Sequence, residues 1–180
     1  MVTVQPTAST AESPSAQPPS ARPPSARPSP SPGGSTTASD GTCGAGELAL
    51  ALDSWEGAAG ARIATITGTN VGETDCILEG PPGPSLLDGA HNVLIGSAGV
   101  VGGAPDITLP PGRVVHLLVS AHNWCAPPPR PPVSIGLTMP DGSVLIAEPA
   151  AGVDFESPPC NGPGQPATIE VSPESWSLQG

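Results

Sequence analysis

Basic and aromatic side chains are scarce in this chain of 180 residues. It has no Lys and no Tyr, three Trp, one Phe, and five basic residues against 16 acidic ones, for a formal net charge of −11. Nucleic-acid binding requires a basic surface that neutralises phosphates, and an acidic surface is repelled by anionic lipid headgroups. We therefore expect neither a nucleic-acid partner nor direct insertion of the domain into a membrane.

Long apolar runs are also missing. No segment approaches the ~18 consecutive apolar residues of a membrane-spanning helix. Residues 1–6 show neither the basic region nor the apolar region of a secretory signal peptide. We expect an export signal, a lipid anchor or a membrane helix to be encoded upstream.

Helical periodicity is the third absence. The chain has 27 Pro and 23 Gly, which disfavour helix interiors. Short apolar runs bounded by turn residues predict strands instead, with hairpins at Gly89 and at Pro140-Asp141-Gly142. We expect an irregular segment over 80–84, a mobile loop over 96–103, and strands at 48–52, 62–69, 76–78, 85–88, 92–95, 106–109, 113–121, 133–139, 143–147, 167–171 and 174–178.

Proline and serine dominate the N-terminal part. Residues 1–40 are rich in Pro, Ser and Ala, and the unit Pro-Pro-Ser-Ala-Arg occurs at 18–22 and again at 23–27. Such segments stay disordered and favour extended polyproline II. We predict a disordered linker over 1–40 that acts as a spacer, and a folded domain over 41–180. A docking motif for a proline-binding module is the alternative role for the linker.

All four cysteines, Cys43, Cys76, Cys125 and Cys160, lie in the predicted domain, and none belongs to a C-x-x-C motif. Their even number and wide spacing favour two disulfides in an oxidising compartment over a zinc site or four buried thiols. Three pairings are compatible with four cysteines.

Several motifs resemble those of one family. They are Gly57-Ala58-Ala59-Gly60, Asn70-Val71-Gly72, Cys76-Ile77-Leu78-Glu79-Gly80-Pro81-Pro82, Leu86-Leu87-Asp88-Gly89 and Ile107-Thr108-Leu109-Pro110-Pro111-Gly112, followed by Trp124-Cys125. From about Cys43 to Ser172 the chain is similar to the actinobacterial domain-of-unknown-function 4232 family. It departs from the family pattern at Pro81, where an aromatic residue is common, and at Pro84, where an apolar residue is expected.

The resemblance implies a secreted or lipid-anchored protein and no known activity. It also favours sequential cysteine pairing, Cys43 with Cys76 and Cys125 with Cys160. Together with the strand pattern it predicts an all-β, immunoglobulin-like sandwich of about seven to nine short strands. An antibody-type domain is not expected, because a chain without Tyr cannot form a tyrosine corner.

The histidines suggest one kind of chemistry. His116 and His122 share a face if one strand runs through both, and with Cys125 or an acid nearby they would suit copper or zinc. We favour surface histidines at strand ends, and His91 is interpreted in the same way. We expect no metal ligand and no cofactor.

Two pairs of carboxylates, Asp154 with Glu156 and Glu73 with Asp75, could bind calcium or act as acid and base. In so acidic a chain we interpret them as solvated loop charges. No nucleophile elbow, P-loop or zinc-protease motif occurs, so no catalytic residue is expected.

The segment 127–132, Pro-Pro-Pro-Arg-Pro-Pro, is a rigid loop after Cys125. Either it constrains a long connection or it forms a binding loop with Trp124 and Arg130. The Trp side chains are expected in the core or half-buried.

We therefore predict a non-enzymatic, monomeric domain that is extracellular or anchored at the cell surface and binds a protein or a cell-wall ligand. A purely structural role is a further interpretation. The alternative from another functional class is a metal-handling protein or a secreted hydrolase.

Overall fold

The computed structural model describes residues 41–97, 103 and 105–178. The predicted linker over 1–40 and most of the predicted mobile loop, residues 98–102, lie outside the described residues.

Every regular element in these residues is a strand, which confirms the all-β class. These residues form eleven strands, three of which have only two or three residues. They are β1 Leu48–Ala58, β2 Ala61–Asn70, β3 Cys76–Leu78, β4 Gly83–Leu87, β5 Val93–Gly96, β6 Ile107–Leu109, β7 Val114–His122, β8 Ser134–Thr138, β9 Val144–Pro149, β10 Thr168–Val171 and β11 Ser177–Leu178.

The described part of the chain contains no helix long and apolar enough to cross a membrane.

Nine strands form one curled sheet in the order β10-β7-β2-β1-β9-β8-β4-β5, with β11 also paired to β7, and β3 pairs with β6 in a separate ladder. All ladders are antiparallel except the short one between β1 and β9, where Ala51 faces Glu148 and Leu52 faces Pro149. This parallel ladder joins two layers. The first layer is β1, β2, β7, β10 and β11; the second is β4, β5, β8 and β9. β10 packs against β4 and β5, so the layers face each other.

The core lies between these layers. Alternate residues of β7 point inward, and Val115, Leu117 and Val119 are fully buried, as are Ile135 and Leu137 of β8. This alternation is the period of two that places one face of a strand against the core.

Strand β1 is longer than predicted. The polar residues Asp53 and Ser54 suggested an end at Leu52, but the strand continues to Ala58 through a register shift between Leu52 and Ser54. Such a bulge lets one strand accommodate an extra residue without losing its partner. Trp55 therefore lies within β1.

The predicted irregular segment over 80–84 is wrong at its last two residues, since Gly83 and Pro84 belong to β4. The ladder between β4 and β5 begins only at Ser85. On the β5 side of β4, no strand among the described residues is paired with Pro84, so no ladder hydrogen bond needs the N–H group that proline lacks. Pro84 is buried, so it occupies the apolar position of the family pattern.

Both predicted hairpins are confirmed. β4 pairs with β5 across the turn that contains Gly89, and β8 pairs with β9 across Pro140-Asp141-Gly142. In the second turn Gly142 has a φ of 85° and its N–H donates to Met139 O at 2.9 Å. A left-handed residue is what a tight hairpin requires here.

Two disulfides join Cys43 to Cys76 and Cys125 to Cys160, with S–S distances of 2.07 and 1.97 Å. These are the two pairs that the family resemblance implies. Cys43 and Cys76 are buried, with 1% and 2% of their surface exposed. Cys125 and Cys160 are both exposed and lie outside the strands.

Candidate functional site

A groove of about 530 Å³ lies on the outer face of the second layer. Its floor includes Gly96, Ser85 and Ile146. These residues belong to one transverse row of the sheet, in which Gly96 faces Ser85, Ser85 faces Gly136, and Gly136 faces Ile146. Two glycines, Gly83 on β4 and Gly96 on β5, line the groove without side chains. A Cβ atom built on Gly136 would come within 2.6 Å of Ser85 Oγ and 3.2 Å of Leu87 Cδ1. The side chains of Ser85 and Leu87 therefore occupy the space next to Gly136, which is buried and does not line the groove.

The walls of the groove are mostly apolar. Leu87 and Val93 form one side, and Val144 forms the other with Thr138. Val93 and Val144 are 64% and 57% exposed. Apolar side chains grouped around a concavity are typical of binding sites for ligands with an apolar body.

His91 lies at one end of the groove. Its Nε2 atom is 2.9 Å from Glu148 Oε1 on β9, and both side chains are about half-exposed (51% each). His91 has a φ of 59° and belongs to the turn between β4 and β5. The His91–Glu148 pair can orient a polar group of a ligand. The hydroxyl of Ser85, in contrast, already donates a hydrogen bond within the sheet, to Gly136 O at 3.3 Å.

Asp88 builds the turn that presents His91. Its carboxylate accepts hydrogen bonds from the backbone N–H groups of Ala90 and Asn92, both at 2.9 Å, and from the Asn92 side chain. The Asn92 side chain is the largest cause of a lowered pKa for Asp88, followed by the backbone donors, with Arg130 adding a favourable charge. A carboxylate that caps its own turn in this way fixes the conformation of the following residues.

The predicted binding loop borders the same turn. Gly89 N donates to Arg130 O at 2.8 Å, and the Arg130 side chain is exposed. Trp124 is buried, with its Nε1 atom donating to Pro127 O at 3.0 Å. The structure thus places Arg130 beside the turn between β4 and β5, and Trp124 is hydrogen-bonded to the loop from inside. Trp176 is also buried and Trp55 is half-buried, in agreement with the expectation for the Trp residues.

A polar chain crosses the outer face of the first layer. Thr67 Oγ1 donates to Asp53 Oδ2 and lies 3.2 Å from His116 Nδ1. The bulge in β1 places Asp53 opposite this row. Because the threonine hydroxyl is between the acid and the histidine and donates directly to the carboxylate, the imidazole cannot act as the base that removes its proton. These three side chains link β1, β2 and β7 at the surface of the first layer.

The other predicted polar residues are spread over the domain. His122 lies six residues from His116 on β7, a separation of roughly 20 Å, and its Nε2 atom is 3.5 Å from Glu170. Glu156 pairs with Arg62 at 2.7 Å, while Asp154 is exposed. Among residues 41–97, 103 and 105–178, no three His, Cys, Asp or Glu side chains come together to hold a metal ion. Cys125 is bonded to Cys160, so its sulfur is not a free thiolate that could bind a metal ion together with His122.

Two of the family motifs, N-x-G and P-P-G, are linked by hydrogen bonds through Asn70, which we call the Asn70 joint. Asn70 is 1% exposed; its amide donates to Thr74 O and Leu109 O at 2.9 and 2.7 Å and accepts from Gly72 N at 2.8 Å. Gly112 N donates to Asn70 O at 2.8 Å. The N-x-G and P-P-G motifs therefore meet at one point, beside the disulfide of Cys76.

The family model described as Domain of unknown function (DUF4232) matches residues 43–174. This chain belongs to the DUF4232 family. No curated protein and no solved structure matches the chain. In this DUF4232 domain, the matched region contains the groove, both disulfides and the Asn70 joint.

The groove of the DUF4232 domain was not predicted from the sequence. Its residues come from four strands, β4, β5, β8 and β9, which form two hairpins. One signal was present: β9 reads Val-Leu-Ile-Ala, apolar on both faces. An antiparallel strand with one solvated face alternates polar and apolar residues, so a doubly apolar strand indicates a covered or ligand-binding outer face.

Proposed function

We propose that this protein is a non-enzymatic, extracytoplasmic binding module whose ligand occupies the groove between Val93 and Val144. The supporting observation is the concave apolar face with glycines in its floor and one histidine–carboxylate pair at its end. The volume of about 530 Å³ falls in the range of small-ligand sites, about 300–1,000 Å³. Two disulfides favour an oxidising compartment outside the cytoplasm.

The charges favour a neutral or cationic ligand with an apolar body. Glu148 and Asp88 lie near one end of the groove, and the formal charge of the chain is −11. An anionic ligand would be repelled by this field. In this proposal the Pro-rich segment over 1–40 acts as the spacer that presents the module.

The neutral apolar dye Nile red tests the groove directly, by its fluorescence on titration with the folded protein. Val144→Asp places a carboxylate on the groove wall, where binding an apolar dye would desolvate it. We expect the dye affinity to fall at least about ten-fold, which corresponds to about 1.4 kcal/mol. Ile146→Asp, at the floor, should have the same effect.

Leu118→Asp is the matched control. Leu118 is 42% exposed on the outer face of the first layer, so the substitution adds the same charge to the same molecule far from the groove. It should leave dye binding within about two-fold of the unsubstituted protein. Absence of dye binding by the unsubstituted protein, or equal losses in Val144→Asp and Leu118→Asp, would refute the groove as the ligand site.

A further inference from the structure

The two disulfides differ in their surroundings. Cys43 and Cys76 are buried in the core, and the backbone around them is paired: Cys43 N donates to Ile77 O at 2.9 Å. Cys125 and Cys160 are both exposed and belong to irregular segments after β7 and before β10. An attacking thiolate must reach a sulfur atom, so exposure governs the rate of thiol–disulfide exchange.

The chain near Cys160 has a second attachment that does not depend on the disulfide. Asn123 is 6% exposed; its Nδ2 donates to Gly162 O and Gln165 O at 3.1 and 2.8 Å. Its Oδ1 accepts from Asn161 N and Gly162 N at 2.8 and 3.1 Å. One buried amide therefore holds residues 161–165 against the end of β7.

Residues before Cys160 are also held by other contacts. The ring of Phe155 packs edge-on against Trp55, with centroids 4.9 Å apart, and Glu156 pairs with Arg62 at 2.7 Å. Opening of the Cys125–Cys160 bond would thus loosen the short segments next to the two cysteines and leave the sheet intact. The Cys43–Cys76 bond is different, because Cys43 and Cys76 are themselves part of the hydrophobic core. Opening this bond would disturb the packing of the core.

We propose that Cys125–Cys160 is a reversible exchange site for an extracytoplasmic dithiol, whereas Cys43–Cys76 is a permanent structural bond. One thiolate of the dithiol attacks a sulfur of the pair, the S–S bond breaks, and the departing cysteine thiolate takes up a proton. The second thiol of the dithiol then attacks the mixed disulfide. Both cysteines end as thiols and the dithiol ends as a disulfide, so two electrons and two protons are transferred to the protein.

Selective reduction of the native protein tests this site. The folded chain is incubated with dithiothreitol, samples are quenched with iodoacetamide, and the alkylated cysteines are identified by mass spectrometry of peptides. We expect Cys125 and Cys160 to be alkylated at least about ten times faster than Cys43 and Cys76, while circular dichroism shows the β-sheet unchanged. Equal rates for the two pairs, or alkylation only as the sheet unfolds, would overturn the proposal.

A pair of double variants separates the exchange site from a merely exposed structural bond. C125S/C160S should remain folded and retain Cys43–Cys76, because the Asn123 amide still holds residues 161–165; C43S/C76S should be the less stable variant. The proposal fails if C125S/C160S is the one that loses its cooperative unfolding.

A protein dithiol provides the last measurement. A thioredoxin-type C-x-x-C protein that lacks its second cysteine forms a mixed disulfide that cannot resolve. We expect the trapped adduct at Cys125 or Cys160. An adduct at Cys43 or Cys76, or no adduct, would contradict the assignment. None of these readouts depends on the groove, so their failure leaves the proposed ligand site unaffected.

Discussion

Gly89 illustrates how much a single residue can depend on a neighbouring loop. It lies in the turn between β4 and β5, and a Cβ atom built on it would be 2.3 Å from Pro131 O and 2.7 Å from Pro131 C. These are backbone atoms of the proline-rich loop, which cannot move aside as a side-chain tip can. Only glycine permits the loop to approach the turn so closely.

Gly89→Ala should therefore destabilise the domain. We expect a loss of about 1–3 kcal/mol in the free energy of unfolding, the usual cost of forcing an extra methyl group into a packed site. Chemical denaturation followed by fluorescence measures it. Gly46→Ala is the matched control, because nothing lies within 4 Å of a Cβ at Gly46. Equal stability of the two variants would show that the loop does not rest on the turn.

Asp88 gives the same turn a dependence on pH. Hydrogen bonds from the Asn92 side chain, with smaller effects from the backbone donors and Arg130, hold its pKa below the ordinary 3.8. The folded state thus binds this proton less readily than the unfolded chain. The stabilisation is fully present above the unfolded pKa, near pH 4, and is lost as the pH falls through the lowered value.

Asp88→Asn isolates this effect from the other carboxylates. We expect the difference in thermal midpoint between the unsubstituted protein and the variant to be constant near neutral pH and to shrink below about pH 4. Thermal unfolding measured at a series of pH values provides the test. A difference that does not change with pH would mean that the Asp88 charge contributes nothing to the turn.

Individual elements differed in how far the sequence could predict them. The hairpin at Pro140-Asp141-Gly142 was predictable because proline and glycine determine a turn through local backbone geometry. The continuation of β1 beyond Asp53 was not, because a bulge depends on the register with β2 rather than on local propensity. The place of Pro84 in β4 was also not predictable from local sequence, because a proline fits there only since the neighbouring strand β5 does not extend that far.

Asn70 joins three elements with one side chain. It receives or donates hydrogen bonds at Gly72, Thr74 and Leu109, and thereby links the end of β2, the turn before β3 and the end of β6. Its sequence signal was the N-x-G motif, but which partners the amide contacts depends on the β3–β6 ladder, which brings together residues about 30 positions apart in the chain.

Asn70→Ala should cost about 2–4 kcal/mol of unfolding free energy, since it leaves buried backbone groups without partners. Asn92→Ala is the control, because Asn92 is exposed and its loss should cost about 1 kcal/mol or less. Urea denaturation of both variants gives the comparison. A loss at Asn70 no larger than that at Asn92 would contradict the joint that we describe.

At the scale of the whole molecule, composition predicted the fold class while the arrangement of the layers required the structure. Frequent Pro and Gly and short apolar runs are enough to exclude helices, and the family motifs point to the same class. The groove needed more: Gly96, Ser85, Gly136 and Ile146 become neighbours only through three ladders. No local pattern encodes such a row, so the candidate site emerges from topology.

The parallel ladder between β1 and β9 affects how the domain can be assembled as it is synthesised. Ala51 and Glu148 are 97 positions apart (148 − 51), so the first strand gains its second neighbour only after the 97 residues that follow Ala51 have been synthesised. Until then one edge of β1 offers unpaired backbone groups to other chains. Such late, long-range closure slows folding.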